Sequence, residues 1–75
     1  MNWDQVEGSW KQVMGKAREQ WGKLTDDDWQ QIQGKRDQLV GKVQNRYGVT
    51  REEAQKQADN WARTLQETQQ EAKVR

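Results

Sequence analysis

Cysteine, histidine and proline are all absent from this 75-residue chain. Without cysteine, neither a disulfide framework nor a thiolate metal site can reinforce a small core. Without histidine, the commonest general base and the commonest metal ligand are missing. The lack of proline suits a chain built of helices with few fixed turns. Long hydrophobic runs are missing too: none exceeds two residues, as in Val13-Met14 and Leu39-Val40, so a transmembrane span is excluded. The opening "MNWDQVEGSW" has neither the basic start nor the apolar stretch of a signal peptide. The expected compartment is therefore the cytoplasm.

What is present is polar. Hydrophobic residues make up 31% of the chain and charged residues 33%, a balance that leans toward disorder. Five tryptophans oppose that tendency, because their large apolar surfaces are costly to leave in water. A chain of this length supports one domain, which buries only roughly 60% of the surface its unfolded form exposes.

The chain repeats. A shift of 26 residues places Trp3 on Trp29, Val6 on Ile32, Gly8 on Gly34 and Val13-Met14 on Leu39-Val40. Gly15-Lys16 then falls on Gly41-Lys42, and Trp21-Gly22 on Tyr47-Gly48. The period fits one helical hairpin per copy. Each copy ends alike: Gly22 and Gly48 are placed to close a helix in the left-handed conformation, and Thr25 and Thr50 to cap the next. Thr50-Arg-Glu-Glu53 reads as a full capping box and Thr25-Asp-Asp-Asp28 as its shorter-armed variant. Leu24 with Trp29, and Val49 with Ala54, occupy the positions of a hydrophobic staple. Helix starts are expected near Asp26 and Arg51.

Three apolar stripes follow helical spacing. They are Trp3, Val6, Trp10, Val13, Met14, Ala17 and Trp21; then Ile32, Leu39, Val40, Val43 and Tyr47; then Ala54, Ala58, Trp61 and Leu65. The interior glycines compete with this pattern, each costing about 1 kcal/mol against alanine. Breaks near Gly8 and Gly34, close helix approach at Gly15 and Gly41, and tolerated weakness are the three readings, of which breaks are favoured. The expected fold is all-α: a small bundle of four to five short helices in two pseudo-repeated hairpins. One domain is expected over residues 1–67, with pseudo-repeats 3–25 and 29–50, a last helix at about 51–67 and a frayed polar tail over 68–75.

Chemical readings of the motifs are weak. Gly-Lys recurs at Gly15, Gly22, Gly34 and Gly41, but no glycine stands five residues earlier and no Ser or Thr follows the lysine, as a phosphate loop requires. Asp26 and Asp28 match the first carboxylates of a calcium loop, yet Gln31 stands where its glycine belongs and Asp37 where its glutamate belongs. The aspartates fit better as first-turn charges facing the free amides of a helix. With one serine and no histidine or cysteine, a nucleophile and its base are hard to assemble. No catalytic residue, cofactor or metal is expected.

The basic groups mark the one candidate surface. Residues 29–51 hold five basic groups against one acid, a local net charge of +4. Lys35, Lys42 and Arg46 share one flank of the second stripe, and Arg36 faces its apolar side. Together they form a candidate polyanion-contact surface, able to meet phosphates without reading sequence.

The segments "GSWKQVMGKAREQWGKLTDDD" and "IQGKRDQLVGKVQNRYG" resemble the CsbD-like family of small bacterial general stress-response proteins, from about Gly8 to Gly48. The resemblance implies a small cytoplasmic protein produced under general stress, folded as a helical bundle like the SAM-domain class. It supplies no catalytic residues. The resulting expectation is a non-enzymatic stress-response protein with a protective role. The alternative is a weak, sequence-independent nucleic-acid-binding or protein-interaction module using residues 35–46. Neither a specific partner nor self-association follows from the residues.

Overall fold

The computed structural model describes residues 2–74, with side chains as far as Leu65. Five helices and no strand organise the described residues: α1 (Trp3–Gly8), α2 (Trp10–Gln20), α3 (Asp26–Ile32), α4 (Arg36–Tyr47) and α5 (Arg51–Val74). The all-α expectation holds. α5 continues to Val74, past the end expected at about residue 67, while Arg75 lies outside the described residues.

Local chemistry explains the boundaries. At Asn2 a full capping box starts α1: Gln5 N–H donates to Asn2 Oδ1 at 2.9 Å, and Asn2 N–H to Gln5 Oε1 at 3.2 Å. Ser9, at φ −109° and ψ 21°, interrupts the helix for one residue, and α2 resumes at Trp10 without a side-chain cap. Thr25 opens α3 with both bonds of its box, Asp28 N–H to Thr25 Oγ1 at 3.2 Å and Thr25 N–H to Asp28 Oδ2 at 3.1 Å. At the start of α5, Glu53 N–H donates to Thr50 Oγ1 at 3.1 Å. The return half of that expected box is missing, because the Glu53 carboxylate turns along the helix to accept from Gln57 Nε2.

The helix ends correct one expectation. Gly48 closes α4 in the left-handed conformation at φ 65°, but Gly22 does not take positive φ. The cap of α2 is Trp21, whose N–H bonds to the Ala17 carbonyl. Its ring is buried in the core, so the chain turns inward here before any glycine is needed. The second interior break is the sharper one. Gln33 and Gly34 both have positive φ, 50° and 81°, and a Cβ on Gly34 would lie 2.7 Å from Glu7 Cα. The second repeat turns where the first repeat's α1 presses against it, and only glycine fits.

The core lies where the three stripes meet. Val6, Val13, Ala17 and Trp21 come from the first, Ile32, Leu39, Val40 and Val43 from the second, and Ala54, Ala58, Trp61 and Leu65 from the third. Leu24, Trp29 and Ala62 complete it, with Trp3, Trp10, Met14, Tyr47 and Val49 half-buried around it. Within each repeat the short helix packs on the longer one, and α5 packs chiefly along α4.

Candidate functional site

The Asp26–Asp28 run divides by position on the helix. Asp26 is exposed and pairs with Arg18 at 3.2 Å, a contact of small value in water. Asp28 stands at the third helical position, where the capping geometry points its carboxylate back under the helix start and out of solvent. It is the one buried charged residue among the described residues, at 3% exposure.

That burial is tolerated because donors saturate the carboxylate. Besides Thr25 N–H, Asp28 Oδ2 receives Arg46 Nε at 2.8 Å, and Oδ1 receives Arg46 Nη2 at 3.3 Å. Lys42 Nζ lies 3.7 Å from Oδ1 and also donates to Gln31 Oε1. One helical turn separates Lys42 and Arg46, so α4 presents both to the N-terminal turn of α3. The Arg46 hydrogen bonds hold the Asp28 carboxyl at a pKa of about 2, with the Thr25 amide acting in the same direction and burial opposing both.

Arg36 closes a second contact, between the start of α4 and the middle of α5. Its Nε and Nη2 donate to Asp59 Oδ1 and Oδ2 at 2.8 and 3.0 Å. Trp3 Nε1 donates to the same Oδ1 at 3.2 Å, tying α1 into the joint. The Arg36 guanidinium, helped by Trp3, keeps the Asp59 carboxyl below its ordinary range. Lys35 is exposed at the N-cap of α4 and has no ion pair among the described residues. Of the four residues expected to face a polyanion, three therefore meet carboxylates of their own chain.

The five tryptophans form two groups. Trp61 lies between Trp3, with ring centroids 6.2 Å apart, and Trp21, at 5.4 Å and edge-on. Trp21 Nε1 donates to Gln57 Oε1 at 3.2 Å. Trp10 lies 6.0 Å from Trp29 on the other side of α2.

Sequence reasoning missed both ion-pair joints. One signal was available: a guanidinium on the apolar side of a helix, as at Arg36, needs an acceptor on whatever packs there. No comparable signal marked Asp28, whose burial depends on the crossing of α3 and α4.

Comparison with known proteins bears on this arrangement. The CsbD-like family profile matches residues 4–56, more than two thirds of the chain. The chain belongs to the CsbD-like family. Among its relatives, the UPF0337 protein msl9551 of Mesorhizobium japonicum is 67% identical over 61 residues, covering 81% of this chain and 91% of the relative. The UPF0337 protein RB10934 of Rhodopirellula baltica is 69% identical over 61 residues, with 81% and 90% covered. The UPF0337 protein YjbJ of Escherichia coli is 59% identical over 61 residues, with 81% and 88% covered. In this CsbD-like chain the Asp28–Arg46 joint lies inside the matched segment, whereas Trp3 and Asp59 lie outside it. Among the described residues no helix is long and apolar enough to cross a membrane.

Proposed function

We propose that this CsbD-like chain is a non-enzymatic, cytoplasmic stress-response protein that protects other macromolecules by weak contact. The observation that carries the reading is the use made of Asp28. A catalytic carboxylate needs a pKa near the working pH and a free face toward substrate. Asp28 has a pKa of about 2, and its oxygens are taken by Thr25, Arg46 and Lys42. It fastens two helices together.

The surface supports the same reading. Arg36, Lys42 and Arg46 spend much of their field on Asp59 and Asp28, which favours broad polar contact over a phosphate-binding face. Family membership adds the stress context. A test enzyme dried or heated with the protein should retain more activity than the same enzyme with an equal mass of albumin. Equal recovery in the two samples rejects the protective role.

A further inference from the structure

Three amide side chains meet where the end of α2 faces α5. Gln20 is the last residue of α2, and Gln57 and Asn60 lie on one side of α5 with Thr64 a turn further on. Together with Trp61 they line a cleft of about 240 Å³. None of these lining side chains is charged, although charged residues make up 33% of the chain. Other clefts differ. The one between α1 and the start of α4 holds Asp4, Glu7, Lys35, Arg36 and Asp37, and the one beside Trp10 holds Arg18.

The amides are held in place. Gln57 Oε1 accepts from Trp21 Nε1 at 3.2 Å, and Gln57 Nε2 donates to Glu53 Oε1 at 3.4 Å, which fixes the orientation of the carboxamide. Asn60 Oδ1 accepts from Arg63 Nη2 at 2.9 Å. These bonds leave one hydrogen of the Gln57 amide and both of the Asn60 amide for a ligand. Gln20 has no side-chain partner among the described residues.

Trp61 adds the deciding group. Its ring is only 7% exposed and packs against Trp3 and Trp21. Trp3 and Trp21 donate their indole N–H groups to Asp59 and Gln57, but the Trp61 N–H has no acceptor among the described residues. No fully buried side-chain nitrogen or oxygen among them lacks a partner, so this N–H is reached from outside, where the ring lines the cleft.

We propose that this cleft binds one ring of a neutral carbohydrate, whose hydroxyl oxygens accept from the Trp61 indole and the Gln57 and Asn60 amides, and whose hydroxyl hydrogens go to the Gln20 carbonyl oxygen. The chemistry selects against other classes. An ion would lose its hydration with no opposite charge on the lining side chains to replace it. An apolar ligand would strip water from the amides and the indole N–H without offering acceptors. A hydroxylated ring supplies both donors and acceptors. The volume lies below the roughly 300–1,000 Å³ of drug-sized sites, which limits the occupant to about one ring. This site does not depend on the protective reading, and either can fail without the other.

Proton–nitrogen NMR spectra of the full chain contain an indole N–H peak for each of the five tryptophans, so titration with glucose and with trehalose tests the site. The Trp61 peak, assigned with Trp61→Phe, should move and saturate on the order of millimolar sugar, as suits so small a ligand. The Trp29 N–H also has no acceptor among the described residues but lies in the cleft that holds Arg18, and its peak should stay in place. Glycine betaine, which has no hydroxyl, should move neither peak. Asn60→Ala alters an exposed residue, so it should fold and keep the Trp61 peak, while half-saturation rises about five-fold with the loss of a hydrogen bond. If all the indole peaks drift together without saturation, the sugar acts only as bulk solvent and there is no site. A saturation curve unchanged in Asn60→Ala overturns the role given to the amides. A betaine shift as large as that of glucose overturns the neutral-carbohydrate chemistry.

Discussion

Arg46 reaches across 18 residues of chain to grip both carboxylate oxygens of Asp28, with Nε 2.8 Å from Oδ2 and Nη2 3.3 Å from Oδ1. The same carboxylate accepts the Thr25 amide that begins α3. A helix cap and a tertiary ion pair thus share one side chain. This couples the local start of α3 to its docking on α4, since neither set of bonds can be lost without weakening the other.

The coupling should be measurable as a double-mutant cycle of Asp28→Asn and Arg46→Gln. Asp28 is buried, but the Arg46 side chain is 41% exposed, so the interaction falls between a surface pair and a buried one. The two substitutions should be less than additive, read from urea unfolding of the four proteins. Additive effects mean that Arg46 contributes nothing through Asp28.

Stability should also fall in acid in a way that depends on Asp28. The folded pKa, about 2, lies below the ordinary aspartate value of 3.8. The unfolded chain therefore binds more protons between those values, and the contribution present above about pH 4 is lost as pH falls toward 2. Asp59, also held low, acts in the same sense. The Asp28→Asn variant should lose less stability than the unaltered protein between pH 5 and pH 2, a window set by these shifts. Identical acid profiles for the two proteins contradict this assignment.

Two glycines of the second repeat should respond differently to alanine. At Gly34 an added Cβ lies 2.7 Å from Glu7 Cα, and φ is 81°, so Gly34→Ala should cost at least about 2 kcal/mol. Gly41 has open space and lies inside α4, so Gly41→Ala should raise stability by up to about 1 kcal/mol. Urea midpoints decide the matter, and a Gly34→Ala protein as stable as its parent would rule out the close approach of α1.

Loss of Asp59 should loosen the aromatic cluster. Asp59→Ala removes the acceptor of both Arg36 and Trp3, releasing an indole that packs on Trp61. Tryptophan emission should move to longer wavelength and become more readily quenched by acrylamide. Arg36→Gln, which leaves Trp3 its acceptor, should produce a smaller change. Indistinguishable spectra would mean that Trp61 and its other neighbours hold Trp3 without the hydrogen bond.

A gel shift probes the basic surface. With three of its four groups already paired, the protein should not retard duplex DNA at low salt even on the order of tens of micromolar, within the usual range of non-specific binding. Retardation that disappears in Lys35→Gln would restore the polyanion reading.

The architecture was largely readable from periodicity and punctuation. Three stripes at helical spacing contain most of the core, and Thr25, Thr50 and Gly48 mark helix ends because caps depend on neighbours within one turn. Gly22 was misread for the same reason: the cap at Trp21 depends on where its ring is buried, which no neighbouring residue specifies. Ala62 joined the core because α5 is covered more widely than a single stripe predicts.

The amino-acid order by itself determined which segments become helices, roughly where they stop and which faces seek one another, since these are matters of local hydrogen bonding and apolar spacing. Only the tertiary structure decided which charges are spent internally. Asp28 meets Arg46, and Asp59 meets Arg36 and Trp3, because helices distant in sequence cross at those points. A carboxylate becomes a structural anchor when the crossing that removes its water also brings its donors.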